Sequence, residues 1–587
     1  MDYAQPSLSG QAPRINYDLT HHTVRFAPPY TAKMMADTGG AVTADGLEVP
    51  FFRWPEVAKT TGLRIPEVDH FLASLASTKT VPAPVENGEV SLYHHQRTGV
   101  NFLYTALTNM GYAGLHDEQG LGKTLVAITL TDLLAYSHDV QKVLVLCPPY
   151  LVRQWAREIL RFSPEPVLAI PGSWPSPRKV KLMHDLNEDT AIAKTGPGRL
   201  VWRKGAVPRY VVMGYDALRS GMLMAAAMTH RWDVAIMDEI TNIYNYQSKR
   251  GARVRSLLGQ SRMRLGMTGT PVMNRPMDVW AELGLLSGVM PSEDWFQGRY
   301  CIMGKKQIAI KGKFHEDGTP VNYTLKYVRG WRKRSMWELA NALERPSIRR
   351  LRTEATDLPP IQYRAYSIPM NGNQKAAYRR LAEDGSALIG GHLIQPSNDL
   401  ALRTYQRIAA DGLQHWGVNS SGKADVIVQM IQDSEGTPTL VFTSWKALAH
   451  NIHARLEDAG VRSGVVTGDE GDAGRDLTCS MFQDGKLDVV VAVYDVMQFG
   501  LNLQRATHAI LAGLQYNPKK MEQSIARGSR IGGGSLLVTL LISEDSVEEE
   551  VHENVVRPKL KLTETLRVAG DIERIMAADT TEYEWVR

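Results

Sequence analysis

The stretch Leu115-His116-Asp117-Glu118-Gln119-Gly120-Leu121-Gly122-Lys123-Thr124 decides how the chain is read. An apolar run, Ala113 to Leu115, leads in, and a helical pattern, Leu125 to Leu134, leads out. Strand, glycine-rich turn, helix start is the context that a phosphate-binding loop needs. The glycines let backbone N–H groups face phosphate oxygens, and the helix N-terminus adds a favourable dipole. Lys123 then reaches the β- and γ-phosphates, and the Thr124 hydroxyl reaches a magnesium ion. Asp117 stands where the usual G-x-x-x-x-G-K-[ST] pattern has its first glycine, so the loop by itself is a modest signal.

The 587 residues leave room for about three or four domains at ~150 residues each. With 43% hydrophobic and 22% charged residues the chain is globular and able to bury more than one core. A net charge of +5 permits a polyanionic partner without requiring one, so the placement of the charge matters more than its sum. Three widely spaced cysteines, Cys147, Cys301 and Cys479, give neither a zinc knuckle nor a disulfide framework and fit a reducing compartment. The N-terminus lacks the basic start and apolar core of a signal peptide, and no run of ~18 apolar residues predicts a membrane span.

From Thr23 to Trp54 short apolar runs alternate with turn signals, which predicts a small β-rich unit, followed by a helix over 65–75. Residues 1–88 read as an accessory domain, either for packing or for substrate recognition. At Gln96, on a helix beginning near Leu92, the side-chain amide offers the donor and acceptor that an adenine edge pairs with. Further strands are expected at 142–147, 210–213 and 232–237, the last running directly into Asp238-Glu239. Two acids at a strand end, about 115 residues after a phosphate loop in a βα alternation, suit an NTPase. Asp238 would hold Mg²⁺ opposite Thr124, and Glu239 would polarise the attacking water. Arg264 to Pro271 contains a Thr-Gly-Thr-Pro turn able to couple a nucleotide site to a neighbouring surface.

Residues 291–425 break the alternation. Lys305 to Arg334 interleaves lysine and arginine with tyrosine and tryptophan, which suits a nucleic-acid backbone and equally suits a solvated β-hairpin. Residues 374–413 read as mainly helical around a break at Gly390-Gly391. The alternation resumes with strands at 439–442, 465–466, 489–493 and 508–511. A helix over 521–530 then places Gln523, Arg527 and Arg530 on one face. In a second α/β domain the two arginines are candidate arginine fingers, a charge worth ~10³–10⁵ in rate.

Taken in order over about residues 92–562, these stretches resemble the Swi/Snf family of ATP-dependent DNA translocases in helicase superfamily two. Asp117-Glu118-Gln119-Gly120-Leu121-Gly122-Lys123-Thr124 is similar to that family's D-E-x-G-L-G-K-T, where the acid in place of the first glycine is expected. Gln96 matches its adenine-contacting glutamine, and Leu146-Cys147-Pro148-Pro149 with Trp155, Asp238-Glu239 and the Thr268-Gly269-Thr270-Pro271 turn also fit. In the second lobe Asn517-Pro518 and Gln523, Arg527, Arg530 fit N-P … Q-x-x-x-R-x-x-R. Arg275-Pro276, Arg299-Tyr300-Cys301 and Ser347 to Arg352 followed by Leu358-Pro359 resemble the distant HepA-related branch of annealing helicases. The chain departs from the family in Ile240-Thr241, where D-E-A-H has its alanine and histidine, in Val496 to Gly500, and in Gly532-Gly533.

The resemblance implies an α/β fold with two RecA-like parallel-sheet lobes, helical and basic insertions and a small N-terminal β-rich domain. The domains expected are an accessory domain over 1–88, an ATP-binding lobe over 89–290, insertions and an inter-lobe linker over 291–424, and a second lobe with a C-terminal brace over 425–587. The implied activity is DNA-stimulated ATP hydrolysis driving translocation on double-stranded or branched DNA. Catalysis is expected from Lys123, Asp238, Glu239, Gln523, Arg527 and Arg530. ATP is expected on Gln96, Asp117, Glu118, Gly120, Leu121, Gly122, Lys123 and Thr124, with Mg²⁺ on Thr124 and Asp238. DNA contacts are expected at Lys305, Lys306, Lys311, Lys313, Arg332, Lys333, Arg334, Ser444 and Asn502. The altered Ile240-Thr241 keeps open a nucleotide-dependent DNA clamp that does not translocate, and a strand-separating helicase is a third reading. A monomeric bacterial or virus-encoded protein, cytoplasmic and nucleoid-associated, is expected, with a nuclear location also open.

Overall fold

The structure, a computed structural model, describes residues 15–18, 23–26, 41–43, 46–50, 54–61, 65–78, 92–172, 174–184, 186, 192–194, 200–202, 207–245, 248–269, 276–288, 292–314, 320–354, 361–434, 436–497, 503–515, 518–529 and 533–553. They form two compact units, the first made of the residues up to Glu118 and of Gly122–Arg350, the second of those from Leu351 onward together with Gln119–Leu121.

The first unit begins with four short antiparallel strands, β1 (Ile15–Asp18), β2 (Thr23–Phe26), β3 (Ala41–Thr43) and β4 (Gly46–Pro50), in the order β1-β2-β4-β3. Val24, Phe26, Leu47 and Val49 alternate along β2 and β4 and bury one face against Trp54 and Val57 of the following helix. The β-rich unit read from the turn signals is therefore a small sheet with its own core. Leu75, from helix Pro66–Ser77, joins the main core of the unit.

That main core surrounds a nine-stranded sheet. Its strands are β5 (Tyr112–Leu115), β6 (Val143–Cys147), β7 (Val167–Ile170), β8 (Ile192–Lys194), β9 (Leu200–Trp202), β10 (Tyr210–Gly214), β11 (Trp232–Asp238), β12 (Ser261–Met267) and β15 (Ser347–Ile348), in the order β15-β5-β12-β11-β6-β10-β7-β8-β9. The pairs from β15 through β7 are parallel, and β8 and β9 close the edge antiparallel. Parallel strands are covered by helices on both faces, which explains why β5, β6 and β10 are buried at every position. Ligands of open α/β sheets bind outside the carboxyl ends of such strands.

Register sets up that end of the sheet. Asp238 of β11 pairs with Met267 of β12, and Met267 pairs with Leu115 of β5. The next residues, Glu239, Thr268 and His116, therefore leave three adjacent strands side by side.

The first unit also holds a two-stranded antiparallel hairpin, β13 (Cys301–Phe314) and β14 (Pro320–Trp331), which pairs with no other strand among the described residues. The second unit holds a six-stranded, all-parallel sheet of β16 (Ile361–Ile368), β19 (Thr439–Thr443), β20 (Ser463–Val466), β21 (Val489–Val493), β22 (His508–Leu511) and β23 (Leu536–Ser543), ordered β16-β23-β22-β19-β21-β20. Two parallel-sheet α/β units are what the βα alternation anticipated.

Two features differ from expectation. The stretch 291–424 contributes to both sheets, through β15 in the first and β16 in the second. A two-residue strand and a mostly exposed edge strand carry little hydrophobic period to read. The break at Gly390-Gly391 is a tight hairpin joining β17 (Ala387–Ile389) and β18 (His392–Ile394), with φ of 59° and 82° at the two glycines. Two adjacent left-handed residues are the demand of a two-residue hairpin turn, and glycine meets it without strain.

Candidate active site

The loop after β5 turns through Gly120 and Gly122, with φ of 88° and 80°, into helix Lys123–His138. A Cβ at Gly122 would meet the Gln96 amide nitrogen at 2.3 Å. Gln96 is thus packed against the loop. Its Oε1 accepts from the Tyr93 N–H at 3.1 Å, capping helix His94–Met110.

The Lys123 ammonium donates to the carbonyls of Asp117 at 2.8 Å and Glu118 at 3.3 Å, which centres it over the loop. Burial pulls the Lys123 pKa down, opposed by the negative charges of Glu239, Asp117, Asp238 and Glu118. Lys123 and the two acids at the end of β11 thus share one electrostatic site.

Asp238 is nearly buried. Its Oδ2 accepts from the Trp155 indole N–H at 2.8 Å and its Oδ1 from the Glu239 backbone N–H at 3.0 Å. The Tyr215 hydroxyl donates to its main-chain carbonyl at 2.8 Å. Burial, with the Glu239 charge, pushes its carboxyl up to about 6. Glu239 has φ 49°, an uncommon value for a residue with a Cβ, and starts a tight helical turn over Ile240–Ile243. The Thr268 hydroxyl reaches Glu239 Oε2 at 3.5 Å.

Asp117 differs from its expected role. Its carboxylate is fully buried, and both oxygens accept from the Arg350 guanidinium, Oδ1 at 2.9 Å from Nε and Oδ2 from Nη2. Occupied and out of solvent, it shapes the loop from behind. Any direct contact of this residue with a nucleotide falls to its backbone.

In the second unit, helix Pro518–Gly528 carries buried Gln523 and partly buried Arg527, and the Arg527 carbonyl accepts from the Leu503 N–H at 3.0 Å. Ser444, at the end of β19, accepts from the Gln515 side-chain amide. Lys305, Lys306 and Arg332 are exposed on the hairpin and at its base. Lys311 and Lys313 lie on β13, and Lys333 and Arg334 open helix Lys333–Glu344. Arg530, Asn502, Asn517, Thr270, Pro271, Arg275 and the Leu358-Pro359 pair lie outside the described residues.

Trp155 and Tyr215 as supports of Asp238, and Arg350 as partner of Asp117, carry no role in the sequence reading. Trp155, and Arg350 within Ser347 to Arg352, enter there only as parts of a resemblance.

Phosphate loop, acid pair and a second parallel-sheet unit together define a two-lobed nucleotide hydrolase. Comparison with known proteins gives its family. The SNF2-related domain model matches residues 95–406, and the helicase conserved C-terminal domain model matches 422–532. The chain belongs to the SNF2-related family and is an ATP-hydrolysing, helicase-like enzyme. Among its relatives are Protein CHROMATIN REMODELING 24 of Arabidopsis thaliana, 23% identical over 83% of this chain and 47% of the relative, and the human DNA annealing helicase and endonuclease ZRANB3, 23% identical over 84% and 41%. The chain therefore spans less than half the length of either. The solved Sulfolobus solfataricus SWI2/SNF2 ATPase core in complex with dsDNA is 21% identical, with coverage of 84% and 97% and a TM-score of 0.36. No described helix is long and apolar enough to cross a membrane.

Proposed function

We propose that this ATPase is stimulated by DNA and translocates along the double strand, remodelling or annealing branched DNA or displacing bound proteins. The observation that carries the reading is the single electrostatic site formed by Lys123, Asp238 and Glu239 beyond the carboxyl ends of β5 and β11, the two strands that flank β12. Asp238 and Thr124 offer oxygen, the donor that Mg²⁺ prefers, and a cation relieves the charge of two neighbouring acids. Bound there, Mg²⁺ would neutralise the phosphate oxygens. Lys123 holds the β- and γ-phosphates. Glu239 orients the water that takes the γ-phosphoryl group, leaving ADP and phosphate. Arg527, on the helix that also carries Gln523, and Arg530 are assigned the positive charge that the transferring group needs.

DNA is assigned to the hairpin. Lys305 and Lys326 are cross-strand partners, on one face and both exposed. Like charges directly opposed in a sheet are destabilising, and a phosphate backbone laid across them removes the penalty. A two-stranded ribbon is also a shape the major groove admits. The names of the relatives, a chromatin remodelling protein and a DNA annealing helicase, support the same partner.

The test is displacement of a labelled third strand from a DNA triplex. Displacement that requires ATP hydrolysis and leaves the underlying duplex paired supports translocation. Unwinding of the duplex itself would favour the strand-separating reading. ATP-dependent binding without displacement would favour the clamp, the alternative that Thr241 keeps open.

A further inference from the structure

A fully buried carboxylate sits behind the nucleotide motifs, and none of the roles above uses it. Glu282 lies on helix Pro276–Ser287 among buried Val279, Trp280, Ala281, Leu283, Leu285 and Leu286. Its Oε2 accepts from the hydroxyl of buried Tyr244, and its Oε1 lies 2.5 Å from Nε2 of buried His116. His116 is the residue after β5, immediately ahead of the phosphate loop. Tyr244 closes the turn that Glu239 opens, five residues later. Side chains of the helix and of the turn converge on the same spot. A Cβ at Gly266 would fall 2.8 Å from Leu286 and 2.9 Å from Ile240, so helix and turn press on β12 together.

A leucine at 282 would suit this helix, and a buried polar network seldom adds net stability over apolar residues of equal volume. What such a network does supply is position. Each of its members leaves an uncompensated buried polar group if it shifts, so the arrangement resists small displacements that an oily contact tolerates. Glu239, held in a left-handed conformation, is the residue with most to lose from such a shift.

We infer that Tyr244, Glu282 and His116 form a positioning clasp that fixes the Glu239 turn against the root of the phosphate loop. The clasp sets the water-orienting carboxylate without touching nucleotide. This rests on the assignment of Glu239 above.

The test compares steady-state ATP turnover and ATP affinity in Tyr244→Phe, Glu282→Leu and Glu282→Gln, alone and combined with Glu239→Gln. Tyr244→Phe and Glu282→Leu are expected to slow kcat about tenfold and to leave ATP affinity within about twofold, the mark of an interaction used in the transition state. Glu282→Gln keeps an acceptor for Tyr244 and a donor for His116, and should recover to within about threefold of wild type. Tyr244→Phe added to Glu239→Gln should cause no further loss, because groups acting as a unit are non-additive. Variants with lowered melting temperature but unchanged kcat, or a full additional loss on top of Glu239→Gln, would overturn the clasp. Wild-type turnover in Glu239→Gln alone would instead remove the site assignment on which it stands.

Discussion

The Asp117 carboxylate and the Arg350 guanidinium are joined edge to edge, two N–H groups on two oxygens, although they lie 233 positions apart. Arg350 Nη1 also donates to Thr98 Oγ1 at 2.9 Å, and the Glu118 N–H donates to the Arg350 carbonyl at 3.0 Å. The first residue of the phosphate loop is thereby tied to Arg350, just beyond β15, and to the helix that carries Gln96. Asp117 has no solvent exposure, so losing either partner strands a charge. Asp117→Ala and Arg350→Ala should each lower unfolding free energy by about 3–5 kcal/mol, and the double variant should lose less than their sum. Chemical denaturation of the four proteins checks this.

Gly99 makes room for that pair. A Cβ there would stand 2.4 Å from Arg350 Nη2, and the guanidinium is held by Asp117 and cannot swing aside. Gly99→Ala, normally favourable in a helix, should destabilise here by about 1–3 kcal/mol, the usual cost of overpacking. A thermal melt no lower than wild type would show that the guanidinium is free to move.

The Trp155 indole and the Glu239 backbone N–H both donate to the Asp238 carboxylate. Trp155→Phe keeps the ring and removes the N–H. Turnover should fall about tenfold, in line with the loss of a hydrogen bond to a charged group. The Mg²⁺ concentration for half-maximal rate should rise. A magnesium titration of ATPase rate in both proteins reads this directly.

Asp132 gives a pH signature of stability. Its Oδ1 accepts from Ser163 Oγ and the Tyr210 hydroxyl, both at 3.0 Å, yet burial outweighs them and pushes its carboxyl up to about 6. A folded-state value above the unfolded one means that the folded state holds the proton more tightly. The contribution is fully present below the unfolded value near 3.8 and is lost as pH rises through about 6. Between pH 4 and 7 the wild type should therefore lose stability that Asp132→Asn keeps. Melting curves across that range, compared between the two, test the sign.

On the hairpin, Lys305→Glu would convert a repulsive cross-strand pair with Lys326 into an attractive one. The fold should be unharmed, DNA affinity should drop, and the slope of log affinity against log salt should flatten by about one for each phosphate contact removed. Unchanged affinity and slope would take the hairpin out of the DNA interface.

Local signals were legible and distant pairings were not. The phosphate loop, the acid pair and the helix carrying Gln523 and Arg527 each sit in one short stretch, where glycine placement, an apolar strand and a helical face are readable together. Arg350 behind Asp117, Glu282 between His116 and Tyr244, and Trp155 on Asp238 depend on chain segments brought together only by the sheet. An isolated arginine or glutamate carries no mark of what it will meet. The same holds for β15, whose two residues, Ser347 and Ile348, show their role only when paired with Gly114 and Leu115.

The most direct measurement is ATP hydrolysis by the purified protein, alone and with single-stranded, duplex and forked DNA and with RNA, beside Glu239→Gln. Strong stimulation by duplex or fork, abolished in Glu239→Gln, is the predicted result, with fork above duplex pointing to branched DNA as substrate. Turnover indifferent to every nucleic acid, or undiminished in Glu239→Gln, would contradict the account.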